Sequence, residues 1–389
     1  MSIILRNGTI YQPHQIIPQG DIWLENGRIK AISSEPIQND GNASVIDVQG
    51  QIISPGFIDL HIYGGGGASV MDATPEAVHT ILRTHAQYGT TGMLVSTVTA
   101  EIPLLISALQ AIDRAAQIST EETQGAKVLG VHLESCFLAP PKRGAHKLEW
   151  LQTPSIPLFQ QLQSASGNRI KLMTIAPELA GAAELIEYVW TQDVVASFGH
   201  TDADYDTAVA WIRKGMHICT HLFNAMNGLG HRAPGGAGAF LTESAAMVQI
   251  IPDGVHVHPA ALEVAYRAKG ADKICLVTDS LMVAGTDITE FYFFDRLAKA
   301  TDRACFLPDG TLAGSRLTMN RAVKLFHETT SATLHEALHM ASLNPAKAIG
   351  LDQHKGSLEV GKDADVLVMD HDLNIHMTFV EGMLIAQSN

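Results

Sequence analysis

The chain has 389 residues, of which 46% are hydrophobic, and a formal net charge of -14 at pH 7. This length and apolar content allow one large buried core, which we expect to be an α/β barrel of ordinary size with a smaller accessory domain. The acidic balance argues against nucleic acid or an anionic membrane as the main partner, because both require clustered Lys and Arg. The net charge does not argue against a small anionic substrate, since a local pocket can be positive on an acidic protein.

The cysteines indicate the compartment. They are far apart in the sequence and form no C-x-x-C pair, so they predict neither a disulfide scaffold nor a structural zinc site: Cys136, Cys219, Cys275 and Cys305. The first ten residues carry Arg6 and Asn7 inside a short apolar stretch, which is typical of neither a signal peptide nor a membrane span. We therefore expect free thiols, a cytoplasmic location and no membrane partner.

Both ends of the chain alternate short apolar runs with turn residues. Asn7-Gly8 and Asn26-Gly27 stand between alternating apolar residues, a pattern that predicts β-hairpins. Residues 364–369 and 375–380 have a similar strand-like pattern. Because each end segment is too short to be a domain alone, we expect residues 1–54 and 355–389 to pair into one small β-sandwich domain.

Residues 55–354 alternate strand-like and helical patterns. Strands are predicted at 55–62, 91–97, 125–133, 170–175, 194–198, 217–220, 246–251 and 273–278, and helices at 74–88, 182–190, 207–214, 259–269, 321–329 and 333–343. About eight such units predict an α/β fold closed into a (β/α)8 TIM-like barrel. A doubly wound open sheet is the alternative, and it is disfavoured because polar residues follow many different strands and not a single switch point.

Four residues that can bind metal or move protons each follow an apolar, strand-like run: Glu134, His200, His221 and Asp279. The carboxyl ends of barrel strands meet at one face, where active sites are built. The first three form a mixed oxygen and nitrogen set that suits Zn²⁺ or Fe²⁺ and leaves a position open for water. A single strand-end histidine is more often just a satisfied polar group, but the recurrence favours a metal-dependent hydrolase.

Asp279 has two interpretations. It can take a proton from metal-bound water and return it to a leaving group, or it can be an ordinary helix N-cap. His61 is a further candidate ligand, but Tyr63, and not a second histidine, points to the same side of the strand.

Two segments are rich in glycine. The run at 64–67 lacks a following Gly-Lys-Ser/Thr and predicts a mobile loop at the mouth of the site rather than a phosphate loop. Gly235-Gly236-Ala237-Gly238 indicates close packing or a hinge rather than a nucleotide motif.

A series of short strings, individually weak, runs in order along almost the whole chain: Pro55-Gly56-Phe57-Ile58-Asp59, His132-Leu133-Glu134, Gly144-Ala145-His146, Ala176-Pro177-Glu178, Gly199-His200-Thr201, Thr220-His221-Leu222-Phe223-Asn224-Ala225-Met226, Asp253-Gly254-Val255-His256, Thr278-Asp279, Leu312-Ala313-Gly314-Ser315, Gly356-Ser357-Leu358 and Gly361-Lys362-Asp363-Ala364-Asp365. Jointly they resemble the N-acetylglucosamine-6-phosphate deacetylase family of the amidohydrolase superfamily. The resemblance implies hydrolysis of N-acetyl-D-glucosamine 6-phosphate to D-glucosamine 6-phosphate and acetate in amino-sugar catabolism.

The resemblance also implies roles for individual residues. One divalent metal per subunit, with Zn²⁺ as first choice and Fe, Mn or Co as alternatives, would be held by Glu134, His200 and His221, with His61 as a weak ligand or bonded to the metal's water. Asp279 is implied as general base and acid. His146 is implied as the group that orients or polarises the substrate amide.

The implied sugar-phosphate pocket consists of Ala145, Asn224, Ala225, Arg232, His256, Leu312, Ala313 and Gly314. In the family the arginine reaches in from the neighbouring subunit, so the resemblance implies a homodimer in which Arg232 completes the partner's site.

The chain departs from the family pattern in two places. Ser135-Cys136 replaces the usual Gly-Pro after the ligand glutamate, so the path of the backbone beside Glu134 is not predicted by the family pattern. We interpret Cys136 as a small packed residue rather than as a nucleophile or an extra ligand. Tyr63 stands where relatives with two metals have a second histidine, which favours one tight metal.

Two alternatives stay open. Within the same class, the substrate could be N-acetylgalactosamine 6-phosphate or that of another amidohydrolase, because the choice of epimer depends on pocket shape. From another class, a noncatalytic barrel that keeps the fold for binding would be marked by lost ligands, and only the second histidine of the first strand is missing.

Overall fold

The chain ends form one mixed sheet of eight strands in the computed structural model, which describes residues 2–39 and 41–388. Its strands are β1 (Ser2–Tyr11), β2 (Ile16–Glu25), β3 (Arg28–Ser33), β4 (Ser44–Asp47), β5 (Ile52–Pro55), β20 (Val366–Met369), β21 (Ile375–Val380) and β22 (Met383–Gln387). The order is β22-β21-β20-β5-β1-β2-β3, with β4 beside β1. The two ends therefore meet as predicted, through antiparallel pairing of β20 with β5.

The two Asn-Gly pairs have different structures. Asn26 and Gly27 connect β2 to β3 with φ angles of 51° and 78°, the left-handed pair that a tight hairpin needs. At Asn7-Gly8 the hairpin prediction is wrong: the pair lies inside β1, where the register against β2 shifts between Leu5 and Gly8. This is a β-bulge, and it is held because the Asn7 N–H donates to the Asp21 carboxylate at 3.2 Å.

Eight parallel strands form the second sheet: β6 (Phe57–Ile62), β9 (Thr90–Thr97), β10 (Lys127–Leu133), β11 (Ile170–Ile175), β12 (Val195–Phe198), β13 (Ile218–Cys219), β14 (Met247–Ile250) and β15 (Ile274–Leu276). Neighbours in the sheet are neighbours in the sequence, and the segment after β15 returns to β6 through a parallel bridge between Ile62 and Ser280. The predicted TIM-like barrel is confirmed. The boundaries 1–54 plus 355–389 and 55–354 stay a prediction; β5 and β6 lie in different sheets.

Helices follow the barrel strands and cover them: α1 (Pro75–Ala86), α2 (Ile102–Ala116), α3 (Thr120–Thr123), α4 (Ile156–Ala165), α5 (Ala182–Trp190), α6 (Tyr205–Lys214), α7 (Gly235–Thr242), α8 (Pro259–Lys269), α9 (Met319–Thr329), α10 (Leu334–Ala341) and α11 (Leu343–Ala348). Helix α1 begins where expected, because Thr74 accepts from the Ala77 N–H and Pro75 occupies the first turn. No described helix is long and apolar enough to cross a membrane.

Helix α7 begins with the glycine-rich segment at 235–238, which confirms close packing there. A Cβ atom on Gly236 would lie 2.5 Å from the Phe198 ring, so the helix can approach the end of β12 only with glycine at this position.

The glycine run at 64–67 is not an open loop. It forms a short ribbon in which β7 (Gly64–Gly65) pairs with β8 (Ala68–Ser69). The Gly66 N–H donates to the Ala284 carbonyl at 2.8 Å, and the buried His85 lies 2.9 Å from the Gly64 carbonyl. These bonds tie the ribbon to the barrel.

An antiparallel sheet that the sequence did not predict is inserted between β15 and α9. It consists of β16 (Glu290–Phe293), β17 (Arg296–Ala300), β18 (Ala304–Phe306) and β19 (Leu312–Ser315). A bridge between Ser315 and Ser280 joins it to the end of the barrel. The insert therefore stands over the carboxyl ends of the strands, where the four strand-end residues lie.

Candidate metal centre and catalytic cavity

Three ligand atoms converge at the carboxyl ends of β10, β12 and β13. The Glu134 Oε1 atom lies 3.5 Å from His200 Nε2 and 3.1 Å from His221 Nε2, and the two nitrogens are 3.1 Å apart. A tetrahedral cation with bonds of about 2.0–2.2 Å would place its ligand atoms about 3.3–3.6 Å apart. The three predicted ligands are all buried, and together they fit one small divalent metal.

A hydrogen bond orients the imidazole of His200, and burial keeps that of His221 neutral. His200 Nδ1 lies 2.7 Å from the Lys142 carbonyl, which can only accept, so Nδ1 donates and Nε2 keeps its lone pair. Burial lowers the pKa of His221 to about 4, so this ring is neutral near pH 7. His200 Nε2 is then free to bind a cation, and the neutral His221 can bind one through Nε2 when its ring proton is on Nδ1, which has no hydrogen-bond partner among the described residues.

The backbone turns sharply at three of the four strand ends. His200, His221 and Asp279 have φ angles of 48°, 32° and 53°, in the left-handed region that costs a non-glycine residue about 1–3 kcal/mol. All three residues line the same cavity. Strained backbone of this kind is concentrated at functional sites.

Asp279 is not a helix N-cap, so that alternative is wrong. Its N–H donates to the His61 carbonyl and its carbonyl accepts from Ser315, and the next element is the strand β16. The carboxylate oxygens lie 3.4 Å from His61 Nε2 and 3.4 Å from His256 Nε2. Burial raises the pKa of Asp279 to about 7, against the opposing charges of His61 and His256. A bound cation would lower this pKa again, which would keep the carboxylate ready to accept a proton.

His61 supports Glu134 from the opposite side. Its Nε2 lies 2.8 Å from Glu134 Oε2 and 2.8 Å from the Tyr63 hydroxyl. Burial lowers the pKa of His61, but the charges of Glu134, Asp279 and Asp59 raise it to about 9. Burial likewise disfavours the charge on Glu134, yet His61, His200 and His221 hold its pKa well below its usual range. His61 therefore binds the carboxylate oxygen that faces away from His200 and His221.

His146 presents a hydrogen-bond donor to the same cavity. The Thr99 N–H donates to His146 Nδ1 at 3.3 Å, which makes Nδ1 an acceptor and places the proton on Nε2. The Thr99 hydroxyl is 2.7 Å from the same nitrogen. Burial lowers the pKa of His146 to about 3, so the ring is neutral near pH 7.

A cavity of about 350 Å³ collects most of the predicted residues. Its lining includes the three ligands and Asp279 together with Ala145, His146, Asn224, Ala225, His256, Leu312, Ala313 and Gly314. Two predicted residues are not part of this lining. His61 bonds Glu134 Oε2 from outside the cavity, and Arg232 is exposed and lines a different surface pocket with Asp204 and Tyr205.

The wall beside Glu134 contains the unusual Ser135-Cys136 pair. Both residues are fully buried, and burial raises the pKa of the Cys136 thiol to about 12. A protonated, enclosed thiol agrees with the interpretation of Cys136 as a small packed residue. All four cysteines are free and buried, as expected.

Sequence reasoning missed three supporting residues: Thr99, Lys142 and Asp253. Asp253 Oδ2 accepts from His256 Nδ1 at 2.6 Å, while its other oxygen accepts the Val255 and His256 N–H groups. Asp253 lay within one of the family strings, so a signal was present. For Thr99 and Lys142 no local pattern indicates a contact with a histidine many residues away.

Comparisons with known proteins identify the family. The amidohydrolase family model matches residues 52–385. An N-acetylglucosamine-6-phosphate deacetylase of Bacillus subtilis is 33% identical over 383 residues, covering 98% of this chain and 96% of its own. An N-acetylgalactosamine-6-phosphate deacetylase of Escherichia coli O157:H7 is 32% identical and covers 99% of both chains.

Solved structures agree. The N-acetylglucosamine-6-phosphate deacetylase of Pasteurella multocida matches with a TM-score of 0.92 at 30% identity over 100% of both chains. A mutant of the Mycobacterium smegmatis enzyme in complex with N-acetyl-D-glucosamine-6-phosphate matches with a TM-score of 0.90 at 27% identity, covering 100% of this chain and 99% of the other. This chain therefore belongs to the amidohydrolase family of metal-dependent hydrolases and, within it, to the group of N-acetylglucosamine-6-phosphate deacetylases.

Proposed function

We propose that the chain hydrolyses N-acetyl-D-glucosamine 6-phosphate to D-glucosamine 6-phosphate and acetate, a step of amino-sugar catabolism. The observation that carries this proposal is the convergence of Glu134, His200 and His221 in one cavity with the carboxylate of Asp279. The names of the relatives and the sugar phosphate bound to the Mycobacterium smegmatis mutant support the choice of substrate.

Glu134, His200 and His221 would hold one divalent metal. Two imidazole nitrogens and one carboxylate oxygen are a common zinc donor set, so we propose Zn²⁺ first, with Fe, Mn or Co as alternatives. When bound, the ion supplies a water molecule of lowered pKa and polarises the acetyl carbonyl. Tyr63, which bonds His61 where two-metal relatives have a histidine, supports a single tight metal.

Asp279 would carry the proton between reactants. As base it removes a proton from the attacking water, and as acid it gives that proton to the amide nitrogen so that the amine can leave. His61 and His256 contact its two oxygens and keep the carboxylate in place.

His146 would stabilise the carbonyl oxygen. His146 lines the cavity and holds its ring proton on Nε2, so it can donate to the acetyl oxygen as negative charge develops there. Because this histidine is neutral near pH 7, its donor is present without a protonation step.

The remaining predicted residues would bind the sugar phosphate. Ala145, Asn224, Ala225 and the strand β19 segment from Leu312 to Gly314 form walls of the cavity, with His256 beside them. We propose that Arg232 reaches the site of a second subunit in a homodimer, which is supported by its exposed position outside its own cavity. A cytoplasmic location is part of the proposal and is supported by the four free cysteines.

An acetate-release assay tests the function. It compares N-acetylglucosamine and N-acetylgalactosamine, each with and without the 6-phosphate, on metal-loaded and chelated protein. We expect turnover of the phosphorylated glucosamine derivative only with metal. Absence of turnover on all of them with metal bound would remove the proposal and favour a noncatalytic binding protein.

N-acetylgalactosamine 6-phosphate is the second candidate substrate. It is favoured by the Escherichia coli relative, whose identity of 32% is close to the 33% of the Bacillus subtilis enzyme. The ratio of kcat/KM for the two epimers decides between them.

A further inference from the structure

Lys142 is the only lysine or arginine among the described residues that line the catalytic cavity. Its side chain is 25% exposed, and its ammonium lies 3.6 Å from the carboxylate of Asp202, which is 51% exposed. That separation is longer than a hydrogen bond and the pair is open to water, so the attraction is weak. The ammonium is therefore available to a ligand in the cavity.

The backbone of Lys142 is fixed to a metal ligand. Residues Pro140–Lys142 form a 3-10 turn that is clamped onto His200 from two sides. The Ala139 N–H donates to the His200 carbonyl at 2.8 Å, and His200 Nδ1 donates to the Lys142 carbonyl at 2.7 Å. Because the backbone of Lys142 is held at His200, its ammonium cannot lie farther from this metal ligand than the length of the lysine side chain allows.

The charge of the substrate favours such a cation. A phosphate monoester carries a charge of about -1.5 to -2 at pH 7. The cavity already contains the carboxylates of Glu134 and Asp279, and the chain as a whole has a formal charge of -14. The proposed metal and the protonated His61 would offset these two carboxylates, but the phosphate would still meet the negative field of the whole chain, and a cation beside it would stabilise it.

The other cations close to the mouth have partners in the protein. Lys147 lies 2.6 Å from the Asp295 carboxylate, and the Arg296 guanidinium donates to the Ala145 carbonyl. Arg232 lines a separate pocket. Among the described lysines and arginines, Lys142 is the one that lines the cavity, where it adds a full positive charge to the neutral and imidazole groups of Asn224 and His256.

We infer that Lys142 binds the phosphate group of the substrate. The inference rests on the proposed function and deepens it: the cavity selects a phosphorylated amino sugar with a cation from its own chain, in addition to any arginine from a second subunit. Lysine suits this task as a compact charge with three donors.

The test compares Lys142→Met and Lys142→Arg with wild type. Arg143→Met is the matched control, because Arg143 is the adjacent cation on the same turn but is exposed and does not line the cavity. Two readouts are needed: kcat/KM on N-acetylglucosamine with and without the 6-phosphate, and calorimetric affinity for glucosamine 6-phosphate against glucosamine. The second readout does not depend on turnover.

We expect Lys142→Met to lower kcat/KM for the phosphorylated substrate by about 10- to 100-fold, mainly through KM, as for the loss of one hydrogen bond to a charged group. Affinity for glucosamine 6-phosphate should fall in parallel, while values for the unphosphorylated sugars change less than about twofold. Lys142→Arg should recover most of the loss, and Arg143→Met should resemble wild type.

An equal loss for phosphorylated and free sugars, or no loss in either readout, would overturn the role of Lys142. Failure of the wild type to release acetate from any sugar would instead remove the proposed function. Calorimetry would still decide whether Lys142 contributes to the difference in affinity between glucosamine 6-phosphate and glucosamine.

Discussion

The carboxylate of Asp279 lies 3.4 Å from Nε2 of His256, whose other ring nitrogen donates to Asp253 at 2.6 Å. The proposed proton carrier is therefore the last member of a line of three side chains. Asp253 is fully buried and fixes the imidazole, and the imidazole in turn faces the reacting carboxylate. This arrangement makes separate predictions for Asp279 and for Asp253.

Asp279→Asn should abolish most turnover. The amide has nearly the same shape as the carboxylate but cannot accept a proton, so we expect kcat to fall by about 10²- to 10⁴-fold. Metal content and calorimetric affinity for glucosamine 6-phosphate should change little, since Asp279 is outside the set of three converging ligand atoms. Turnover near the wild-type rate would exclude Asp279 from proton transfer.

Asp253→Asn should weaken catalysis without removing the metal. An amide at this position can present a donor to His256 Nδ1, which would shift the ring proton to Nε2 and change the hydrogen bond to Asp279. Loss of one charge-assisted bond should lower kcat/KM by about 10-fold or more. The measurement is steady-state kinetics beside metal analysis, and a loss of bound metal in step with activity would contradict the prediction.

A metal ligand and a residue that only supports a ligand should differ in their effect on metal binding. The variants His221→Asn and His61→Asn compare the two roles. Nε2 of His221 is one of the three converging atoms, so its loss should leave a purified chain with much less than one metal per subunit. His61 bonds the other oxygen of Glu134, and removal of such a supporting partner typically weakens metal affinity by about 10- to 100-fold without removing the site.

Metal analysis after dialysis and competition with a chelator distinguish the two cases. Similar metal loss in both variants would make His61 a ligand in its own right.

The strand-end residues could be predicted from sequence because the barrel imposes a simple rule. All the strands end at the same face of the barrel, so a polar residue that follows an apolar run is predicted to lie at that face. Glu134, His200 and His221 follow this rule and converge. The hydrogen-bond partners of His146 and His200 could not be predicted. Thr99 and Lys142 reach these two histidines only after the loops fold back over the barrel.

The two Asn-Gly dipeptides show that a turn sequence alone does not determine whether a hairpin forms. Asn7-Gly8 and Asn26-Gly27 have the same residues and similar apolar flanks, yet one is a bulge and the other a hairpin. The difference is a long-range bond from the Asn7 N–H to Asp21. The inserted sheet β16 to β19 was missed for a related reason, since its strands have only three to five residues and repeat no βα pattern.

The stability of the protein should depend on pH through His85, a residue of α1 that is buried against the glycine ribbon. Its Nε2 lies 2.9 Å from the Gly64 carbonyl and therefore donates to it, while Nδ1 has no partner. Burial lowers the pKa of His85 from 6.5 to about 4. Between these values the unfolded chain binds a proton at this residue that the folded chain does not, so the free energy of unfolding falls as pH decreases from about 6.5 to about 4.

The full effect of His85 is about 3 kcal/mol, because each unit of pKa shift corresponds to about 1.4 kcal/mol. His85→Gln retains a donor for Gly64 but has no group that titrates in this range. Urea unfolding at pH 7 and pH 5 should therefore show a smaller loss of stability in this variant than in wild type, by about 2 kcal/mol. His217→Gln, at an exposed histidine, controls for the removal of an imidazole as such. An unchanged difference between the two pH values in His85→Gln would show that this histidine does not resist protonation in the folded chain.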